Sequence, residues 1–135
     1  MKPGKIIKLQ MNDEFRGSIM IAEGGKSIPF QIARTYWICD VPSGECRGGH
    51  AHKECLECII AVNGSFEVNL DNGTEKATYR LNHPWEALFV DRGIWRTLDD
   101  FSSGAVCLVL ASELFEEEDY IREYDDFQDW LSGQE

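Results

Sequence analysis

Gly44-Glu45-Cys46-Arg47-Gly48-Gly49-His50-Ala51-His52-Lys53-Glu54-Cys55-Leu56-Glu57, followed by Gly64, is the stretch on which the reading of this chain turns. Along a β-strand successive side chains point to opposite faces, so His50 and His52 project side by side into one cavity. Two imidazoles held together suit metal binding or proton transfer. The chain has three histidines, and two of them converge here. The third, His83, sits in the turn-like Asn82-His83-Pro84 and is given no role.

Outward from that stretch, short β-branched and aromatic runs alternate with Gly, Asn, Asp and Pro, the pattern of an antiparallel barrel or sandwich. Strands are expected over 6–9, 17–22, 34–41, 57–62, 65–70, 77–81, 87–90 and 105–110. Asp71-Asn72-Gly73 lies between two of them, and Asx-Gly supplies the positive φ angles of a tight hairpin. The period then changes: Tyr120, Ile121, Tyr124, Phe127, Trp130 and Leu131 recur at helical spacing with acids between them. The expectation is one all-β domain over 1–135, a barrel over about 5–112 carrying an amphipathic helix over about 116–132.

With 135 residues, 43% of them hydrophobic, the chain can bury one core but hardly two. A net charge of −11 argues against nucleic acid or an anionic membrane, since both need a basic face. The acid concentrated between Glu113 and Asp129 reads as a solvated helix face. No run approaches the roughly 18 apolar residues of a membrane span, and Met1-Lys2-Pro3-Gly4-Lys5 lacks the apolar stretch of a signal peptide. A cytoplasmic chain is expected. Its five cysteines are then no disulfide framework, and Cys55 and Cys58, three apart, face opposite sides of a strand rather than forming a redox or zinc pair.

Gly44, His50, His52, Glu57 and Gly64 together resemble the first motif of the cupin superfamily, which implies a jelly-roll-like antiparallel β-barrel. The second cupin motif usually ends in a further metal-binding His; the matching segment here is Asp91-Arg92-Gly93-Ile94-Trp95-Arg96, with Arg96 at that place. An arginine is always charged and repels a divalent cation. A closer resemblance, covering nearly the whole chain, is to the cupin sugar 3,4-ketoisomerases that act on dTDP-4-keto-6-deoxyglucose. It is carried by Arg16-Gly17-Ser18, Arg47 through Lys53, Asn63 through Phe66, Ile94-Trp95-Arg96, Asp100-Phe101-Ser102, Val109 through Ser112, and Glu118 through Tyr124.

That resemblance implies an isomerase without metal or cofactor, taking a dTDP-linked keto sugar in deoxyaminosugar and surface-glycan (O-antigen) synthesis. It also implies a homodimer with exchanged N-terminal strands. One position departs from it: Glu57 stands where those enzymes commonly carry Gln.

Moving a ketone from C4 to C3 needs removal of the C3 proton, an enediol or enediolate, and a proton delivered to C4. His52 is the candidate C3 base and His50 the candidate carrier of protons between the oxygens, although the two roles are interchangeable. Tyr36 matches a pocket-lining tyrosine of the family and would donate to the developing oxyanion. Arg47, Arg96 and Arg16 are candidates for the substrate's oxygens or pyrophosphate, because guanidinium forks match phosphate geometry. Trp95, with Trp37 and Phe66, offers stacking surface, and Glu57 completes the substrate-binding set. The competing readings are a metal-dependent cupin enzyme ligated by His50, His52 and Glu57, a dTDP-sugar 3,5-epimerase, and a non-catalytic sugar-binding cupin.

Overall fold

The computed structural model describes residues 1–134. Its strands are β1 (Lys5–Lys8), β2 (Gln10–Glu14), β3 (Gly17–Ile21), β4 (Arg34–Cys39), β5 (Arg47–His52) and β6 (Glu57–Asn63), followed by β7 (Phe66–Asp71), β8 (Lys76–Leu81), β9 (Glu86–Val90), β10 (Trp95–Asp99) and β11 (Val106–Ala111). A 3₁₀ turn at Glu117–Asp119 leads into the short β12 (Tyr120–Ile121) and the helix α1 (Tyr124–Ser132).

The strands form two five-stranded antiparallel sheets, in the orders β1-β9-β6-β11-β4 and β12-β5-β10-β7-β8. Ile59, Leu88 and Val109 of the first meet Phe66, Val68, Leu81 and Leu98 of the second in one buried cluster, so the sheets pack face to face. The all-β expectation holds. β6 is apolar on both faces because both are covered: Ile59 and Ala61 face the other sheet, while Cys58 and Ile60 pack under Leu9, Ile28 and Phe30. The outer face of the second sheet is covered by α1, where Phe127 packs on Ala51 and Ile121.

Three expectations are corrected. The helix begins at Tyr124 rather than near 116, because Tyr120 and Ile121 pair instead with His52 and Ala51 on β5. Sheet pairing has overridden the helical spacing of these two residues. The turn after Asp71 spans four residues, since Asp71 pairs with Lys76, and only Gly73 in it has a positive φ, of 95°. Asn72 contributes through its side chain, whose Oδ1 accepts from the N–H groups of Thr74 and Glu75. Lastly, β2 and β10 are strands that the chain's pattern did not announce. β2, Gln-Met-Asn-Asp-Glu, pairs among the described residues only with β3 and has no buried face to impose an alternation.

Candidate active site

The histidine pair stands on β5, and the neighbouring β10 sets Arg96 opposite His50. One step further the register slips: Leu98 faces Arg47, so β5 carries one extra residue at a bulge. Gly48 makes the bulge possible. Its φ is +71°, and a Cβ there would lie 2.5 Å from Arg96 Nη1. The glycine run before the histidines thus makes room for the arginine.

His50 and His52 are both buried, with ring centroids 4.8 Å apart and the rings nearly perpendicular. Ala51 between them points the other way, into the cluster beneath α1. The opposite sheet contributes Tyr36 from β4 and Glu57 from β6. Arg96 Nε donates to Glu57 Oε1 at 2.6 Å and Nη2 to Oε2 at 3.2 Å. Nη2 also donates to the Tyr36 hydroxyl at 2.9 Å, which in turn donates to Glu57 Oε2 at 2.9 Å. A buried carboxylate, a buried guanidinium and a phenol therefore hold the two sheets together here.

Electrostatics divides these groups. Burial pushes the Glu57 carboxyl up, but the Arg96 guanidinium beside it holds it below the usual carboxylate range. Burial also raises the Tyr36 hydroxyl, which stays protonated as a donor. His50 is pushed down to about 2, first by burial and then by the Arg96 cation, so at neutral pH it is a neutral imidazole. Its Nε2 is buried and has no hydrogen-bond partner, as are His52 Nε2 and Arg96 Nη1. Of these, His50 Nε2 and Arg96 Nη1 belong to residues that line a cavity, and unpartnered polar atoms there mark where a ligand's polar groups would be bound.

A cavity of about 560 Å³ opens above this network. His50, Tyr36 and Arg96 lie in its wall with Arg34, Arg47 and Arg122, and Trp37, Phe115 and Tyr120 supply aromatic surface. No carboxylate is among the described lining residues, although the chain carries a net charge of −11. The cavity is a local cationic exception fitted to an anionic ligand.

His52 lies deeper and does not line the cavity. Its Nδ1 is 2.7 Å from Asp119 Oδ2, and its Nε2 is 3.5 Å from Glu57 Oε2.

Three residues expected at the site lie elsewhere. Trp95 precedes Arg96 on β10 and so points to the opposite face, where it packs edge-on against Tyr124 at 5.5 Å and beside Phe127 at 5.9 Å. Arg16 is at the tip of the β2–β3 hairpin, exposed and ion-paired with Glu14 at 3.3 Å, outside the cavity. Phe66, too, is core, stacked on Phe101. Conversely, Arg34, Arg122 and Asp119 were not singled out. Arg34 was within reach of the alternation rule, being two residues before Tyr36 on the same strand.

The fold and site define a cupin-type protein that gathers buried polar groups beside a cationic cavity. Residues 2–132 match the FdtA family, described as WxcM-like, C-terminal, and the chain belongs to that family. It is 40% identical over 128 residues to the TDP-4-oxo-6-deoxy-alpha-D-glucose-3,4-oxoisomerase of Aneurinibacillus thermoaerophilus, covering 95% of this chain and 92% of that protein. Among solved structures, a histidine-to-asparagine mutant of the 3,4-ketoisomerase QdtA from Thermoanaerobacterium thermosaccharolyticum, in complex with TDP-4-keto-6-deoxyglucose, superposes with a TM-score of 0.94. It is 36% identical, over 98% of this chain and 96% of that one. A 3,4-ketoisomerase from Helicobacter canadensis gives 0.92 at 40% identity, over 96% and 97%. The chain is accordingly an isomerase of the sugar 3,4-ketoisomerase type.

The three potential metal ligands His50, His52 and Glu57 have donor atoms within 4.8 Å of one another. They do not fit a divalent cation. Both oxygens of Glu57 are already taken by Arg96, and that guanidinium would sit against the ion.

Proposed function

We propose that this enzyme converts dTDP-4-keto-6-deoxyglucose into its 3-keto isomer by proton transfer through an enediolate. The observation that carries the reading is a neutral, buried His50 with a free Nε2 in the wall of an arginine-lined cavity. The arginines Arg34, Arg47 and Arg122 suit the pyrophosphate. His50 faces the cavity as a free base, so it takes the C3 proton, and His52, set behind it, serves the oxygens. This exchanges the two roles first assigned from sequence.

His50 removes the C3 proton, the C3–C4 bond becomes the enediolate double bond, and the negative charge rests on O4. O4 is then protonated, O3 loses its proton, and C4 receives one, leaving the ketone at C3. The unpartnered Arg96 Nη1 and the Tyr36 hydroxyl are the donors placed to stabilise the oxyanion.

The quaternary state and compartment belong to the same proposal. The β2–β3 hairpin pairs with no other strand among the described residues, which supports a homodimer with exchanged N-terminal segments. Five free cysteines, Cys39 and Cys46 exposed, support a reducing cytoplasm.

Incubating the protein with the dTDP-4-keto sugar in deuterated buffer and following the products by NMR tests the reaction. A 3-keto product labelled at C4, formed at the same rate after chelator treatment, is expected. Label at C5 would indicate epimerisation instead, and loss of turnover restored by added metal would overturn the acid–base route.

A further inference from the structure

Asp119 is a carboxylate that the reaction above leaves unused although it touches a proposed proton carrier at hydrogen-bond distance. It closes the 3₁₀ turn Glu117–Asp119 just before β12, whose Tyr120 pairs with His52. Two backbone contacts clamp it. The Glu54 N–H donates to Asp119 Oδ1 at 2.6 Å, and the Lys53 N–H donates to the Asp119 carbonyl at 3.0 Å. The remaining oxygen, Oδ2, lies 2.7 Å from His52 Nδ1, with both side chains largely buried.

A carboxylate only accepts hydrogen bonds, so a 2.7 Å contact requires the hydrogen to be on Nδ1. In the neutral ring Nε2 is then the bare nitrogen, and it is the atom that stands buried without a partner beside Glu57. We propose that Asp119 is a positioning residue that fixes His52 in the Nδ1–H tautomer and leaves Nε2 as its proton-accepting atom. The inference rests on the place of His52 in the proton relay proposed above.

The same contacts define the test. In Asp119→Asn only one oxygen remains, and the Glu54 N–H requires it. The amide NH₂ therefore faces His52 Nδ1, which must present a lone pair, and the ring hydrogen moves to Nε2. The segment stays clamped while the tautomer reverses.

Long-range ¹H–¹⁵N correlation spectra of the neutral histidine rings read this directly, with the His52 signals identified by their loss in His52→Asn. The wild-type protein is expected to carry the His52 hydrogen on Nδ1 and the Asp119→Asn variant on Nε2. With the switch, kcat is expected to fall about 10²-fold or more, while KM stays within about threefold.

A wild-type ring protonated on Nε2 alone would overturn the proposal, whether or not the variant folds. So would a folded Asp119→Asn enzyme with wild-type kcat. Wild-type protein inert towards the keto sugar would instead remove the functional reading, and the spectra would still judge Asp119.

Discussion

At the scale of single residues, the site sets two neighbouring histidines in unlike surroundings. His50 is held neutral by burial and the Arg96 cation, whereas His52 lies between Asp119 and Glu57. The first effect is measurable as stability. The unfolded chain binds a proton on His50 near the ordinary value of 6.5, and the fold resists that proton down to about 2. Between these values the unfolded state binds more protons, so stability is complete above 6.5 and is lost as pH falls. Glu57, with its lowered value, adds to the same acid loss only near and below its ordinary 4.5. His50→Gln, uncharged at every pH, should therefore flatten the stability profile between pH 6.5 and 4.5, by on the order of 1–2 kcal/mol. It should also lower turnover by about 10²–10⁴-fold. Denaturant titrations of both proteins across that range check the first outcome; parallel slopes would place His50 outside the buried network. At this scale the His pair is readable from strand alternation, and Glu57, Tyr36 and Arg96 from the family resemblance, which rests on residues close along the chain. Asp119 is not, since it reaches His52 across 67 positions and its own surroundings look like a solvated acidic run.

Elements succeed or fail in the sequence according to whether their own faces carry the signal. β6 and β11 are rich in β-branched and aliphatic residues, and both were found. β12 was read as helix because Tyr120 and Ile121 also fit a helical stripe, and only the presence of β5 as a pairing partner decides between the two. β10 was missed, although Trp95, Arg96, Thr97 and Leu98 alternate between half-buried and buried, because its buried face includes a charge. That charge depends on the β5 bulge, which gives Gly48 a function at the element scale. Gly48→Ala brings a Cβ to 2.5 Å from Arg96 Nη1 at a φ of +71°. Either the bulge flattens or the guanidinium moves, and the second disturbs its bonds to Glu57 and Tyr36. The variant should lose about 1–3 kcal/mol of stability and, unlike an ordinary surface change, lose turnover with it. Chemical denaturation alongside the rate on the keto sugar tests this, and an active variant of unchanged stability would show that the bulge is not what holds Arg96.

For the whole molecule, the two sheets, the segment over Cys58 and Ile60 and the helix against Ala51 each find a partner within the chain, but among the described residues the β2–β3 hairpin pairs with no other strand. An isolated two-stranded hairpin is marginal in water. This one also exposes large apolar groups: Phe15 at its tip is 96% exposed and Ile19 61%. Its backbone edges and these side chains are suited to a second copy, which by symmetry would offer its own hairpin in return. Each chain carries −11, so association brings like charges together and should tighten as added salt screens them, while apolar contacts persist. Light scattering is expected to give twice the 15.4 kDa chain mass, and the thermal midpoint should rise with protein concentration, as it does when only the folded assembly binds its partner. Ile19→Lys, which places a charge on the unpartnered strand, should shift the equilibrium towards monomer and remove the concentration dependence. A wild-type protein that stays monomeric at every concentration and salt would mean that the hairpin is held without a partner.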